Sequence, residues 1–469
     1  MTFLSPSFVF IFLPVAMAIY AMTPRLRRVD LLPMISSVFF VCVNLHDMLS
    51  LVYYFLISIS SAVAIRVYKK TKKRSALITL GAIASICAIT ALIYRFTFGD
   101  RAVYHVGLLV CLAAVISMCF DVLANQGRVP DTPWEALVYV TFFPIMPAGP
   151  FVRYGDFIEK LDGVSFSTSN FLKGIVRFLV GFIKCVAISA VLGRIYDDVM
   201  ALEGSFGLAV YVLMTVICGV RIYTFFSGYS DMGRGIALML GIDIKKDFGD
   251  PFINSTPANY VRRFFRSLSE FCKLYIVSPI MRLFGRSWLG RVIACMAVGC
   301  YYGFLVCKTP EMALILLVPF AILSYFIMLL PRRKSNPSPL YKRIPGAMLT
   351  FALTSVVWML ISLGSFAEIG EALGNIASNG IFYSEYRVLG ILANVENIVV
   401  PTVTGALVFT ISRVLDVEGA PREDDIPLRT LVIRAVALTV LAVMFVISVV
   451  ALLPQFPDVV SYANVFHFV

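Results

Sequence analysis

The side chains best able to do chemistry are gathered between Tyr223 and Pro279. Ser227, Gly228, Ser230 and Asp231 form a small-residue stretch that reads as a loop. Its carboxylate suits either proton transfer or the capping of a turn. Lys245 and Lys246 make a basic turn, and Arg262, Arg263 and Arg266 are interleaved with Phe264 and Phe265 ahead of Ser267 and Ser269. Arginines and lysines beside hydroxyls suit an anionic, phosphate-bearing substrate. A second group, Lys173, Arg177 and Lys184, sits inside an apolar run at steps of four and seven, which places the three on one helical stripe. Lys184 lies too deep in that run to rest in lipid, so the stripe is expected to face a bundle interior or a watery cavity. The competing reading is that all three snorkel to the interface.

The elements that carry these residues are membrane helices. Of 469 residues, 59% are hydrophobic and 14% charged, and the mean hydropathy is +0.87. Soluble domains carry about 25% charged residues, so the chain is read as an all-α polytopic membrane protein of one domain. Apolar runs predict about 12 spans, near 3–22, 31–46, 48–66, 76–94, 102–120, 171–192, 206–226, 288–307, 311–330, 346–365, 388–412 and 431–453. Segment 135–150 is apolar but broken by Pro144, Pro147, Gly149 and Pro150, which predicts a re-entrant piece covered by protein. Basic connections at Arg25–Arg28, Lys69–Arg74 and Arg332–Arg343 fall on one side and acidic ones (Asp197, Asp198, Glu203; Glu368, Glu371, Glu385 in a second loop) on the other. By the positive-inside rule both termini lie outside the cytoplasm and 223–287 faces it. The net charge of +12 then reflects topology and contact with anionic lipids, and spread over short loops it does not suit nucleic acid.

From Thr256-Pro257 to Tyr275 the pattern predicts an amphipathic helix. Phe264, Leu268, Phe271, Cys272 and Tyr275 share one face; Arg262, Arg266, Ser269 and Lys273 share the other. Such a helix anchors at a membrane surface, or offers its basic face to an anionic donor. The ten cysteines show no CxxC or metal spacing, and no bound cofactor or metal is expected. His46, His105 and His467, the three histidines, fall in short outer connections or the tail.

Several blocks in order resemble the membrane-bound O-acyltransferase (MBOAT) family, most closely its bacterial branch that acetylates alginate and other exopolysaccharides. They are FLSPSFVFIFLPVAMAIYAMTPRLRR at the start, YVTFFPIMPAGPFVRYGDF (139–157), FSGYSDMGRGIALMLGI (226–242), DFGDPF (247–252), VRRFFRSLS (261–269) and the tail SYANVFHF. The resemblance implies a ring of tilted helices around a central funnel, with re-entrant and interfacial helices, in the bacterial inner membrane. It also implies transfer of an acyl group from a cytoplasmic thioester, acyl-CoA or an acyl carrier, to a polysaccharide hydroxyl, with a buried histidine as general base. The two positions matching the family histidines are Phe265 and, in GCYYG, Tyr302. The glycine-rich turn after the amphipathic helix is reduced to RLFGRS.

A phenol titrates near 10, so Tyr302 serves as a base only beside a strong cation; otherwise it donates a hydrogen bond to an oxyanion. Cys300 reads as a nucleophile or a small core residue, Asp231 as a base or a cap. Candidate contacts for the donor and substrate are Arg262, Arg263, Ser267, Asp231, Ser227, Lys184 and Arg177. Three functions remain open: an O-acyltransferase of a cell-envelope polymer, aided by an extracytoplasmic acetyltransferase or a polysaccharide-export partner; a catalytically degenerate MBOAT acting as scaffold, lipid-binding or conduit subunit; and a transporter.

Overall fold

The computed structural model describes residues 2–24, 27–45, 48–98, 107–147, 150–161, 164, 166–202, 206–248, 263–285, 287–306, 311, 314, 315, 317, 322, 340–382, 386–415 and 428–452. Among the described residues every regular element is helical. After a π turn at Phe8–Phe12 come α1 (Leu13–Met22), α2 (Arg28–Val43), α3 (Met48–Thr71), α4 (Ser75–Phe98), α5 (Leu108–Leu123), α6 (Pro133–Val140) and α7 (Tyr154–Leu161). The chain continues through α8 (Thr168–Met200), α9 (Leu208–Met239), α10 (266–283) and α11 (Trp288–Val306). It closes with α12 (Leu340–Leu363), α13 (Phe366–Asn379), α14 (Tyr386–Ala393), α15 (Val395–Leu415) and α16 (Leu428–Leu452). Five helices are long and apolar enough to cross a membrane, and five shorter apolar helices accompany them, so this is an integral membrane protein. The run expected at 31–46 is α2, whose 16 residues reach only about 24 Å. The span expected at 311–330 lies mostly outside the described residues.

The centre of the fold is the antiparallel pair α8 and α9. Here the structure departs most from expectation. Ser227–Asp231 is no loop: α9 runs unbroken from Leu208 to Met239, well past the expected span end at 226. The small residues serve close packing of two helix backbones. Gly174 and Gly181 on α8 face Gly235 and Gly228 on α9, seven apart on each helix. A Cβ on Gly235 would stand 2.7 Å from both the Gly174 carbonyl oxygen and the Phe178 backbone nitrogen. Just past this contact α8 widens into a π segment, Lys184–Ala190, which re-aims Lys184.

The broken segment 135–150 behaves as its prolines require. Pro133–Val140 is helical, Thr132 caps it by accepting from Glu135 N, and a 3₁₀ turn follows at Phe143–Ile145, all of it buried from Ala136 apart from Leu137. The chain from Val152 into α7 is then fastened by one buried carboxylate. Asp121 on α5, fully buried, accepts from Arg153 Nε (3.0 Å), Gly155 N (3.1 Å) and the Tyr275 hydroxyl (2.9 Å). It thereby ties α5, the chain entering α7, and α10 together with charge-assisted bonds.

Two further differences concern amphipathic elements. The signature helix is broken at Phe265: Arg263 and Phe264 are helical before the break, and from Arg266 it continues through a π segment to Leu283 rather than ending at Tyr275. Phe264, Leu268, Phe271 and Cys272 are buried and Arg266 and Lys273 exposed, the two faces the spacing predicts. Glu368 and Glu371, read as part of an outer loop, belong to α13, which Ser365 caps by accepting from Glu368 N while its hydroxyl donates to Glu368 Oε1.

Candidate functional site

α8 and α9 form one wall of a cleft of about 1210 Å³, completed by 243–248, α15 and α16. Nine Lys and Arg side chains line it against two Asp. On its α8–α9 wall Lys184 Nζ lies 2.5 Å from Asp231 Oδ2 and 3.2 Å from Ser227 Oγ. Asp231 and Ser227 are one helical turn apart on α9, so the pair presents a carboxylate and a hydroxyl to one ammonium. Arg177, about two turns toward the start of α8, lines the same cleft half-buried. The structure thus brings together Arg177, Lys184, Ser227 and Asp231, which sequence spacing placed on two separate segments.

A second cavity of about 280 Å³ lies beyond the 244–246 strand of chain, between 150–156 and α10. Lys160, Ile244, Lys245, Lys246 and Arg266 border both spaces. Lys160 donates to the Asp243 carbonyl oxygen. Burial lowers the pKa of its ammonium; Lys245 and Arg234 reinforce that and Asp243 opposes it. Ser267 lines the second cavity, but its polar atoms are engaged: Oγ accepts from Phe151 N (2.9 Å) and its N–H donates to Asp247 Oδ1 (2.7 Å). Asp247 also accepts from Arg266 N at its carbonyl (3.2 Å), so it satisfies two orphan donors of the first turn of α10 that Phe265 cannot cap. Burial pushes the Asp247 carboxyl up to about 6, against the lowering effect of its bonds to Ser267. Its Oδ2 has no hydrogen-bond partner among the described residues.

Phe265 is 3% exposed and packed in an aromatic cluster, with ring centroids 4.8 Å from Phe248, 5.0 Å from Phe226 and 5.2 Å from Phe264. Trp358 of α12 closes the far side, 5.6 Å from Phe264. Arg263 is exposed. Tyr302 lies on α11, but its side chain, like the whole of Arg262, falls outside the described residues. The contact expected between Tyr302 and Phe265 falls there too. The neighbouring Tyr301 stacks on Phe271 of α10, 5.8 Å between centroids.

Four residues at the site were not anticipated. Arg234, buried, donates from Nε to the Ile244 carbonyl (2.7 Å) and holds 243–248 against α9. Its spacing of three from Asp231 was the available signal. Asp247 stood in the DFGDPF block without a role. Lys160 and Arg434 line the cleft from α7 and α16. Arg434 is the fourth residue of the last apolar run and lies in the second turn of α16.

Residues 45–307 match the model of the MBOAT, membrane-bound O-acyltransferase family. The chain is 28% identical over 304 residues to a protein described as "Probable alginate O-acetylase AlgI" of Azotobacter vinelandii, covering 59% of each. It is 26% identical over 146 residues to a peptidoglycan O-acetyltransferase of Helicobacter pylori (30% of this chain, 28% of that one). It is 23% identical over 190 residues to a teichoic acid D-alanyltransferase of Bacillus subtilis (39% and 48%). The match spans under two thirds of the AlgI protein. The region matched by the family model holds α8, α9 and α10, with the Lys184–Asp231 pair and the Phe265 cluster. By that match over more than half its length, the chain belongs to the membrane-bound O-acyltransferase family.

Proposed function

We propose that this protein is a single-domain subunit that acylates, by acetyl transfer, the hydroxyls of a cell-envelope or exported polysaccharide. The observation that carries the reading is the polar cleft inside the matched region, with Lys184, Ser227 and Asp231 on its α8–α9 wall. The relatives' printed names, alginate, peptidoglycan and teichoic acid, are all envelope or exported polymers. The donor is an acyl-CoA or acyl-carrier thioester, whose anionic part meets Lys245, Lys246 and Arg266, with Arg262 and Arg263 as further candidate contacts. Lys184 donates to the oxyanion that forms when the hydroxyl attacks the thioester carbonyl, Asp231 and Ser227 hold its ammonium in place, and collapse of the oxyanion breaks the C–S bond so that the thiolate leaves and takes up the hydroxyl's proton. Ser267 positions α10. The protein sits in a bacterial inner membrane with both termini outside the cytoplasm, contacts membrane lipids, and works with an extracytoplasmic acetyltransferase or polysaccharide-export protein.

A second reading has its own observation. Phe265, at one family histidine position, is sealed among Phe226, Phe248 and Phe264, which leaves no base there and favours a degenerate scaffold or conduit subunit. Acyl transfer from acetyl-CoA to polysaccharide fragments by the purified protein separates the two. The first reading expects transfer by the wild type and a fall of tenfold or more, about 1.4 kcal/mol of barrier or more, in Lys184→Met and in Tyr302→Phe. No transfer by any form, with full complementation of polymer acylation in cells by both variants, overturns it.

A further inference from the structure

The cleft has one wall that a soluble donor does not need. α8, α15 and α16 are held together by Val180, Ile183, Ile411, Ala437 and Leu441. On the same three helices Leu172, Phe409 and Leu438 line the cleft, yet are 57%, 53% and 42% exposed. Exposed apolar side chains on the α8, α15 and α16 side of a cleft in an integral membrane protein suit an acyl chain better than a water-soluble ligand. Beside this wall stand three cations from segments far apart in sequence: Lys173 and Arg177 on α8, Arg434 on α16. They lie about 8, 14 and 9 Å along their helices from Thr168 and Leu428, so all three sit in the first half of the helix that carries them. If the three were only snorkelling to water they would have no reason to converge on a single cavity.

We infer that the gap between α8 and the α15–α16 pair is a side opening that binds an anionic membrane lipid, with its phosphate on Lys173, Arg177 and Arg434 and an acyl chain along Leu172, Phe409 and Leu438. Charge selects the occupant: the cations around the opening favour a head group with net negative charge, and the apolar wall requires a chain that free phosphate lacks. The inference is independent of acyl transfer, because binding is read with neither donor nor acceptor present.

The test places a reporter on the wall. Phe409→Trp protein is reconstituted into phosphatidylcholine vesicles holding rising fractions of brominated phosphatidylglycerol or brominated phosphatidylcholine. Quenching beyond that of the wild type is recorded; the wild type's exposed Trp134 and Trp288 supply the background. The expected result is extra quenching that saturates at a mole fraction at least about fivefold lower for phosphatidylglycerol, the preference one basic contact gives. Lys173→Gln with Arg177→Gln and Arg434→Gln brings the two lipids to parity, whereas Arg177→Lys with Arg434→Lys keeps the preference. Excess inorganic phosphate leaves the quenching unchanged. Equal quenching by the two lipids in the Phe409→Trp protein, which needs no further substitution to read, overturns the inference. Release of the brominated lipid by inorganic phosphate overturns it too, since the cations then form a site for free phosphate.

Discussion

Removing either partner of the Lys184–Asp231 pair is expected to have unequal effects. The two side chains are 17% and 15% exposed and 2.5 Å apart. Breaking a buried pair by deleting one partner costs about 3–5 kcal/mol, because the other charge is left unmatched out of water. The surroundings decide how unmatched. Lys184→Met leaves Asp231 in a cleft that still holds eight Lys and Arg side chains, Arg177 and Arg234 among them. Those neighbours, with cleft water, reduce the loss to about 2 kcal/mol. Asp231→Asn leaves Lys184 among the same eight cations with only Asp243 as a carboxylate on the cleft lining. The loss then stays near the full range, about 4 kcal/mol. The double variant removes both charges and is expected to lose about 3 kcal/mol, so the two changes couple by about 3 kcal/mol. The assay is denaturant unfolding of purified protein in mixed micelles, followed by intrinsic fluorescence, for the wild type, both single variants and the double. Additive losses, or Lys184→Met as harmful as Asp231→Asn, refute the picture of one carboxylate anchored in an excess of cations.

Gly235→Ala puts its methyl against two backbone atoms and is expected to destabilise by about 2–3 kcal/mol, while Gly374→Ala, with open space around its Cβ on α13, gains about 0.5–1 kcal/mol; unfolding midpoints of the two proteins decide. Asp247 has a folded pKa raised to about 6 from 3.8, so its contribution is fully present below pH 4 and is lost as pH rises through 6. Asp247→Asn is therefore expected to gain about 2–3 kcal/mol relative to the wild type between pH 4 and pH 8, and a difference that is flat in pH contradicts the burial of an ionisable carboxylate. Cysteines placed at Lys70 and Ser335 should react with membrane-impermeant reagents only from the cytoplasmic side, and at Met200 and Val465 only from outside; labelling of position 70 in intact cells reverses the orientation.

How much of this was legible in the sequence varies by residue for physical reasons. The spans are one-dimensional facts, since twenty apolar residues satisfy their own backbone wherever they sit. The stripe of Lys173, Arg177 and Lys184 was legible because helical period fixes which residues share a face. Its partner was not, because Asp231 reaches Lys184 only through the register of α8 on α9, and that register is set by four glycines whose role shows only when two backbones touch. The glycines misled for the same reason: in isolation Ser-Gly-Tyr-Ser-Asp has weak helix propensity and resembles a turn, and close packing overrides it. Phe265 illustrates the reverse case. Resemblance to the family blocks gave its position, but only the aromatic rings of α9, 243–248 and α12 around it show that the position is packed core. Among the described residues the buried ion pair of the cleft lies instead on α8 and α9, and the lysine that the sequence made uncomfortable in lipid is the one the helix register sets beside a carboxylate.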